Sequence, residues 1–389
     1  MSLTPIEEKM WDSDRAKDSD RNTAADVEGK YESGEQRILT EINREKLPSF
    51  VESLKKPGYM ELQPFFQRRR RWDKTMQSRL IESFLINIPV PPILLYEKDY
   101  NAYEVMDGQQ RITAIREFYE NKLTLTGLEL WPELNGLTYT TLPPKIRAGI
   151  DRRSISSIVI ITESAPTPEA ALFLKQKTFE RLNTGGVSLS QQEVRNCLYH
   201  GKFNSLLLEL SRYPIFVEAW GFPREYPNLK TPKKAYQKME DVELILRFFA
   251  LRNVENFRGG LRDFMDSYMR KSLKFSEEDI RVLKEIFINS INVAHGIYGE
   301  HLFKPFDPKS GTWKTRRYKD YYDAVMVGVS RHLSEAELLL SRKEKAIAKT
   351  KELFEKPESR LLTGSGKTKG DIQERIRLFD EMLSEVIGE

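Results

Sequence analysis

Short alternating or β-branched apolar runs mark the first half of the chain, and apolar residues at helical spacing mark the second. Ile42 to Leu54 reads as an amphipathic helix, broken by Lys56-Pro57-Gly58 and followed by a short extended segment, Tyr59-Met60-Glu61-Leu62. Asp73 stands as N-cap to a helix with the apolar face Met76, Leu80, Phe84 and Ile88, stopped by Pro89 and Pro91-Pro92. Ile93 to Tyr96 and Tyr103 to Met106 follow as strands, joined by a connection short enough for an antiparallel hairpin. A helix over Arg111 to Glu120 and a strand over Ser154 to Thr162 come next. Thr167-Pro168-Glu169 opens a helix that ends at Asn183-Thr184-Gly185-Gly186, and Ser190-Gln191-Gln192-Glu193 is a capping box for another.

Beyond about Tyr199 strand signals disappear. Helices are expected over Lys202 to Arg212, Met239 to Arg252, Leu261 to Lys271, Glu277 to Tyr298, Tyr321 to His332, Glu335 to Glu355 and Asp371 to Ile387. The first 36 residues alternate acidic and basic side chains with almost no aliphatic run, which predicts a flexible arm or a loosely held helix. The expected class is therefore α+β: a charged arm over 1–36, an α/β domain over 37–199 and an all-helical domain over 200–389.

Composition narrows the function classes. The 389 residues suit two domains, and 39% hydrophobic with 31% charged residues suits a soluble protein. No apolar run reaches the roughly 18 residues of a membrane span, and no secretory h-region follows Met1, so a cytoplasmic setting without membrane contact is expected. A single cysteine, Cys197, excludes an internal disulfide, and His200, His295, His301 and His332 lack zinc spacing. The net charge of +4 is mild, so its distribution matters more than its sum.

Candidate chemistry concentrates at Asp107-Gly108-Gln109-Gln110-Arg111, where a strand runs into a tight turn and a helix begins. A helix N-terminus presents free backbone N–H groups and favours anions. Gly108 can take a positive φ and Arg111 can grip a phosphate in a bidentate fashion. Asp107 can hold Mg²⁺ or orient water, while Gln109 and Gln110 can position water or recognise a base. The competing reading is a plain strand–helix connection in which Asp107 caps the helix and Arg111 pairs with it. Two further segments can contribute. Gln67-Arg68-Arg69-Arg70-Arg71-Trp72 joins cations to an aromatic ring, and the Asn183 to Gly186 loop is either a helix terminator or an anion nest.

Trp313 to Tyr322 interleaves Lys314, Arg316 and Arg317 with aromatic residues, as a nucleic-acid surface or ordinary solvated surface does, and Lys230, Lys233, Lys234 and Lys238 form a second basic group. The Gly366-Lys367-Thr368 triplet is not a P-loop, because Leu361 stands where that motif needs glycine and no buried strand precedes it. No nucleophile–base arrangement and no His-Asn-His nuclease pattern can be placed.

Several motifs together resemble the N-terminal domain family of GmrSD-type restriction endonucleases. They are Phe66-Gln67-Arg68 with Trp72, Arg79 to Ser83, Ile88 to Ile93, Asp107 to Arg111, Phe179 to Leu189 with Glu193 and Arg195-Asn196, then Met239-Glu240-Asp241 with Leu244 to Arg247. The resemblance covers about residues 40 to 270. It implies a ParB/sulfiredoxin-like N-terminal fold and a bacterial anti-phage protein that couples nucleoside triphosphate, with Mg²⁺, to action on modified DNA. It also implies that Asp107, Gln109, Gln110 and Arg111 carry the NTPase step, with Asp107 at the metal. Gln67, Arg68, Trp72, Gly108, Thr113, Asn183, Thr184, Gly185 and Gly186 would line the nucleotide, and Arg69, Arg70, Arg71, Lys314, Arg316 and Arg317 would hold DNA.

The chain departs from its relatives at Arg70, where they often carry an aromatic residue, and in showing no His-Asn-His domain. The expectation is a regulatory or NTPase subunit with a separate nuclease or effector partner, open to homo-oligomers. One alternative is a non-catalytic ParB-like module gated by nucleotide. Another is a nuclease using Asp73, Glu104 and Asp107.

Overall fold

The computed structural model describes residues 3–11, 40–61, 72–161, 171, 172, 178, 190–199, 201–222, 239–364, 366 and 368–388. Several expectations lie outside them: most of the arm, the segment 67–71, the helix expected from Thr167, the loop 183–186 and the lysine group 230–238. The chain divides into two compact units, Arg21–Leu189 on one side and Met1–Asp20 with Ser190–Glu389 on the other. A short helix, α1 (Pro5–Lys9), lies within the expected arm and packs into the second unit, with Glu7 fully buried.

In the first unit a mixed five-stranded sheet is built from β1 (Thr40–Lys46), β2 (Met60–Glu61), β3 (Ile93–Asp99), β4 (Ala102–Asp107) and β5 (Ser154–Ile160), in the order β1-β5-β3-β4-β2. The expected hairpin is present, with β3 antiparallel to β4, while β3 runs parallel to β5 and β4 parallel to β2. One expectation is corrected here: the segment read as a helix from Ile42 is strand β1 as far as Lys46, and only Leu47–Ser53 is helical (α2). Ile42 is 77% exposed on this edge strand, so it never belonged to a buried helical stripe. Pro48, at the start of α2, is what sets the helix boundary.

Helices α3 (Lys74–Leu85), α4 (Gln109–Tyr119) and α5 (Pro144–Asp151) complete this layer. Asp73 does cap α3, its Oδ1 accepting from the Met76 amide at 2.8 Å. The buried face is turned relative to the expected one. Leu80, Ile81 and Phe84 enter the core, while Met76 and Ile88 stay exposed. The core of the unit joins Phe50, Ile81 and Phe84 to Ile93, Leu95, Ile112, Ile115, Phe118 and Val159.

The second unit is helical: α6 (Gln191–Leu198), α7 (Lys202–Leu210), α8 (Pro214–Trp220), α9 (Glu240–Arg252), α10 (Leu261–Ser272), α11 (Glu277–Tyr298), α12 (Lys319–Arg331), α13 (Ala336–Ser341), α14 (Lys343–Glu355) and α15 (Lys369–Gly388). Helix α12 is buried continuously from Tyr321 to Ser330 and forms its centre with α9. Ser276 and Asp279 close a capping box at the start of α11. The single helix expected over Glu335–Glu355 is two, interrupted at Arg342. That guanidinium turns away to donate to the carbonyls of Val386 and Ile387, at 2.8 and 2.9 Å, at the end of α15. A two-stranded hairpin, β6 (Phe306–Asp307) with β7 (Thr312–Trp313), interrupts the helices and is too short for a periodicity signal. A 3-10 helix, Pro357–Thr363, precedes the Gly364 turn where a P-loop would need a strand. Among the described residues no helix is long and apolar enough to cross a membrane.

Candidate functional site

The geometry of the Asp107–Arg111 turn is set by burial on both sides. Val105 and Met106 on β4 point into the unit, and Ile112, Ala114, Ile115 and Phe118 on α4 are fully buried. Strand and helix are thereby fixed, and in the turn between them Asp107 is exposed while Gly108 is buried. Gly108 holds φ +96° and ψ 8°. A Cβ there would lie 2.5 Å from Ile93 Cγ2 and 3.0 Å from Arg111 Nη2, so the turn admits only glycine.

Gly108 is also the N-cap, and no side chain bonds the first-turn amides from the cap position. Arg111 folds back over the turn. Its Nη2 donates to Asp107 Oδ2 at 2.8 Å and to the Pro92 carbonyl at 3.3 Å. The Arg111 side chain is only 14% exposed and its Nε is buried without a hydrogen-bond partner, whereas the Asp107 carboxylate is 60% exposed. Of the two bland roles open to Asp107, pairing is therefore present, and the N-cap position itself belongs to Gly108. Gln109 and Gln110 are half-buried on the first turn, and Thr113 is buried one turn further on.

Trp72 is half-buried against the hydrophobic core of its unit. Asp73 is engaged as the α3 cap. Among the described residues no three His, Cys, Asp or Glu side chains converge as metal ligands, so Asp73, Glu104 and Asp107 do not form such a cluster.

One structuring residue escaped the sequence reading. Glu82 is 6% exposed on α3, and its carboxylate accepts the amides of Glu129, Leu130 and Trp131 at 3.3, 2.8 and 2.9 Å. Ser78 accepts the Thr126 amide at 3.0 Å on the same helix. Together they pin the 126–131 loop to α3. A carboxylate directly after Leu80-Ile81, inside an apolar stripe, was the available signal.

In the second unit the basic candidates cluster at the β6–β7 hairpin. Lys314 Nζ and Arg316 Cζ lie 5.6 and 5.4 Å from the Tyr318 ring centroid. Arg317 points inward instead, its Nε donating to the Ala219 carbonyl at 2.7 Å. Residues 302–319 carry six cationic side chains against one acidic, a local surplus of five in a chain whose whole net charge is +4.

The two units thus hold a glycine-governed turn with an arginine folded over a helix start, and, separately, a basic hairpin. No curated protein and no solved structure matches the chain. Residues 49–200 do match the family model described as the GmrSD restriction endonuclease, N-terminal domain, and that span contains the sheet from β2 onward, the turn and α6. Over those residues, turn included, the chain is thus similar to the GmrSD restriction endonuclease N-terminal domain family.

Proposed function

We propose that this protein binds a nucleoside triphosphate at the Asp107–Arg111 turn and acts on DNA within a restriction or anti-phage defence system. The observation that carries the nucleotide reading is the left-handed Gly108 at the start of α4 with the Arg111 guanidinium folded back over it. Amide donors and a guanidinium at one helix end suit the oxygens of a phosphate chain. Arg111 would exchange Asp107 Oδ2 for phosphate oxygen, and the carboxylate so released would hold Mg²⁺ or orient water. A single exposed carboxylate fits a Mg²⁺ shared between protein and phosphate oxygens. Gln109 and Gln110 would position water or read a base.

The outward Lys314 and Arg316 would contact the DNA backbone, with Arg317 holding the hairpin in place. Strand cleavage would fall to a separate nuclease or effector, and hydrolysis would switch the protein between DNA-bound and free states. The test is phosphate release from ATP, GTP, CTP and UTP with Mg²⁺, with and without phage DNA, for wild type and Arg111→Ala. Turnover that depends on Arg111 is the expected result. Arg111-dependent binding without turnover would replace this reading by a nucleotide-gated binding module, and binding indifferent to Arg111 would sink both.

A further inference from the structure

The first residues of the chain meet the helical unit almost entirely through side chains. Thr4 caps α1, its Oγ1 accepting the Glu7 amide at 3.4 Å while its own amide donates to Glu7 Oε2 at 3.1 Å. Glu7 then enters a polar recess. Its carboxylate accepts Arg252 Nη2 at 3.2 Å, Asn253 Nδ2 at 3.0 Å and the Tyr268 hydroxyl at 3.2 Å. Trp11 is the second anchor. Its Nε1 donates to Asn253 Oδ1 at 3.0 Å, its ring stacks on Phe264 with centroids 5.2 Å apart and planes 17° apart, and Lys271 Nζ lies 5.2 Å from the ring. Asn253 is fully buried and bonds both anchors. Residues 12–39 then lead to β1 of the other unit, and the helical unit resumes only at Ser190.

We propose that the ends of α9 and α10 form a peptide-recognition groove whose occupant is this chain's own segment 3–11, held by Glu7 and Trp11 and replaceable by the same peptide added in trans. The recess carries the complement of that peptide and of little else. A guanidinium, a carboxamide and a phenol surround one carboxylate, and an aromatic face with a cation above it receives one indole. All of these contacts are made by side chains that a short peptide keeps, and the Thr4–Glu7 capping box gives that peptide its first helical turn. The sheet unit is consequently spliced into the helical unit, tethered on one side by a non-covalent clasp. This inference does not depend on the nucleotide reading.

The test uses the full chain with the clasp disabled. Glu7→Ala with Trp11→Ala should lower the melting temperature by about 6 °C or more. A synthetic peptide of residues 1–11 should restore most of the loss when present at or above the roughly millimolar effective concentration of a tethered segment. The same peptide carrying Glu7→Ala should restore nothing. A double variant that melts like wild type, or one that melts lower and ignores the wild-type peptide, overturns the proposal. Should the double variant not fold, the folded wild-type chain is cut at a protease site introduced between residues 12 and 39 and passed over a sizing column. An N-terminal fragment that stays bound and exchanges with labelled peptide supports the groove, and a fragment that separates, or stays without exchanging, refutes it.

Discussion

Asp107 with Arg111 and Asp323 with Arg247 are the same two residue types in hydrogen-bond contact, and the units use them for opposite ends. In the helical unit Arg247 grips both Asp323 oxygens at 2.6 Å and reaches Asp320 at 3.1 Å, while Arg375 closes the group from α15. Asp323 is 0% exposed there and Asp107 is 60% exposed. Burial pushes the Asp323 carboxyl up, and Arg247 only partly offsets it. Both carboxylates in that cluster are paired with guanidinium groups away from solvent, so it holds helices together. At the turn the carboxylate faces solvent instead. On the proposed nucleotide reading, that exposed pair is the one a phosphate would enter. A third pair, Asp380 with Arg331 and His332 at 3.0 Å, sits between the extremes at 26% exposure.

If burial sets the role, the largest effect belongs to the deepest pair. Asp323→Ala leaves Arg247 and Arg375 buried without compensation, and the expected loss is about 3–5 kcal/mol by denaturant titration. A loss under about 1 kcal/mol would mean that water or a rearranged Asp320 takes over, and the contrast between the units would fail.

The sheet unit supplies the next test, because its own buried carboxylate is held by amides and not by arginine. Glu82→Ala removes the acceptor for three backbone donors of the 129–131 loop and should cost about 2 kcal/mol. It should also raise amide exchange at Leu130 and Trp131 before it affects the sheet. Uniform exchange across the unit would contradict that local picture.

The intermediate pair gives the pH test. Burial opposes ionisation of Asp380, but the His332 hydrogen bond and the Arg331 charge win and hold its carboxyl below the usual range. A depressed acid contributes stability that is full above its unfolded value, about 3.9, and is lost as the pH falls through the lower folded value. Asp380→Asn should therefore cost less than about 1 kcal/mol near neutrality, discounted for its partly exposed setting. The difference from wild type should vanish in acid, and one that persists at pH 2 would assign the effect to packing.

How far the sequence foretold this depends on where each signal lives. Helix caps and turns are local, so Asp73, the β3–β4 hairpin and the Asp107–Arg111 turn were legible residue by residue. Strand β1 was not, because Ile42 and Phe50 fit a helical stripe and only pairing with β5 turns the first part into an edge strand. The break at Arg342 was equally hidden, since the carbonyls it caps lie more than forty residues away on α15. Glu7 offered no signal beyond a capping box in a charged stretch, because its three polar partners come from α9, its C-cap and α10. At the turn the sequence named both the phosphate reading and the ion-pair reading. The structure shows that the pair forms and that Gly108 takes the cap position.

A small effect on stability, paired with the largest on binding, is expected at the turn itself. Arg111→Ala removes an ion pair whose carboxylate is largely exposed and should cost about 1 kcal/mol. Calorimetry with a nucleoside triphosphate should nevertheless detect no binding, because the guanidinium lies over the turn at the helix start. Asp107→Ala separates the two partners further. Arg111 must leave Asp107 before it can take a phosphate oxygen, so deleting the carboxylate removes a competitor. Nucleotide binding without Mg²⁺ should tighten, while any Mg²⁺-dependent turnover should fall. If Asp107→Ala weakens binding as much as Arg111→Ala does, the carboxylate is needed to orient the guanidinium, and the pair is a structural unit like its buried counterpart. If the two variants diverge as expected, the same aspartate–arginine contact is a lock in one unit and a latch in the other.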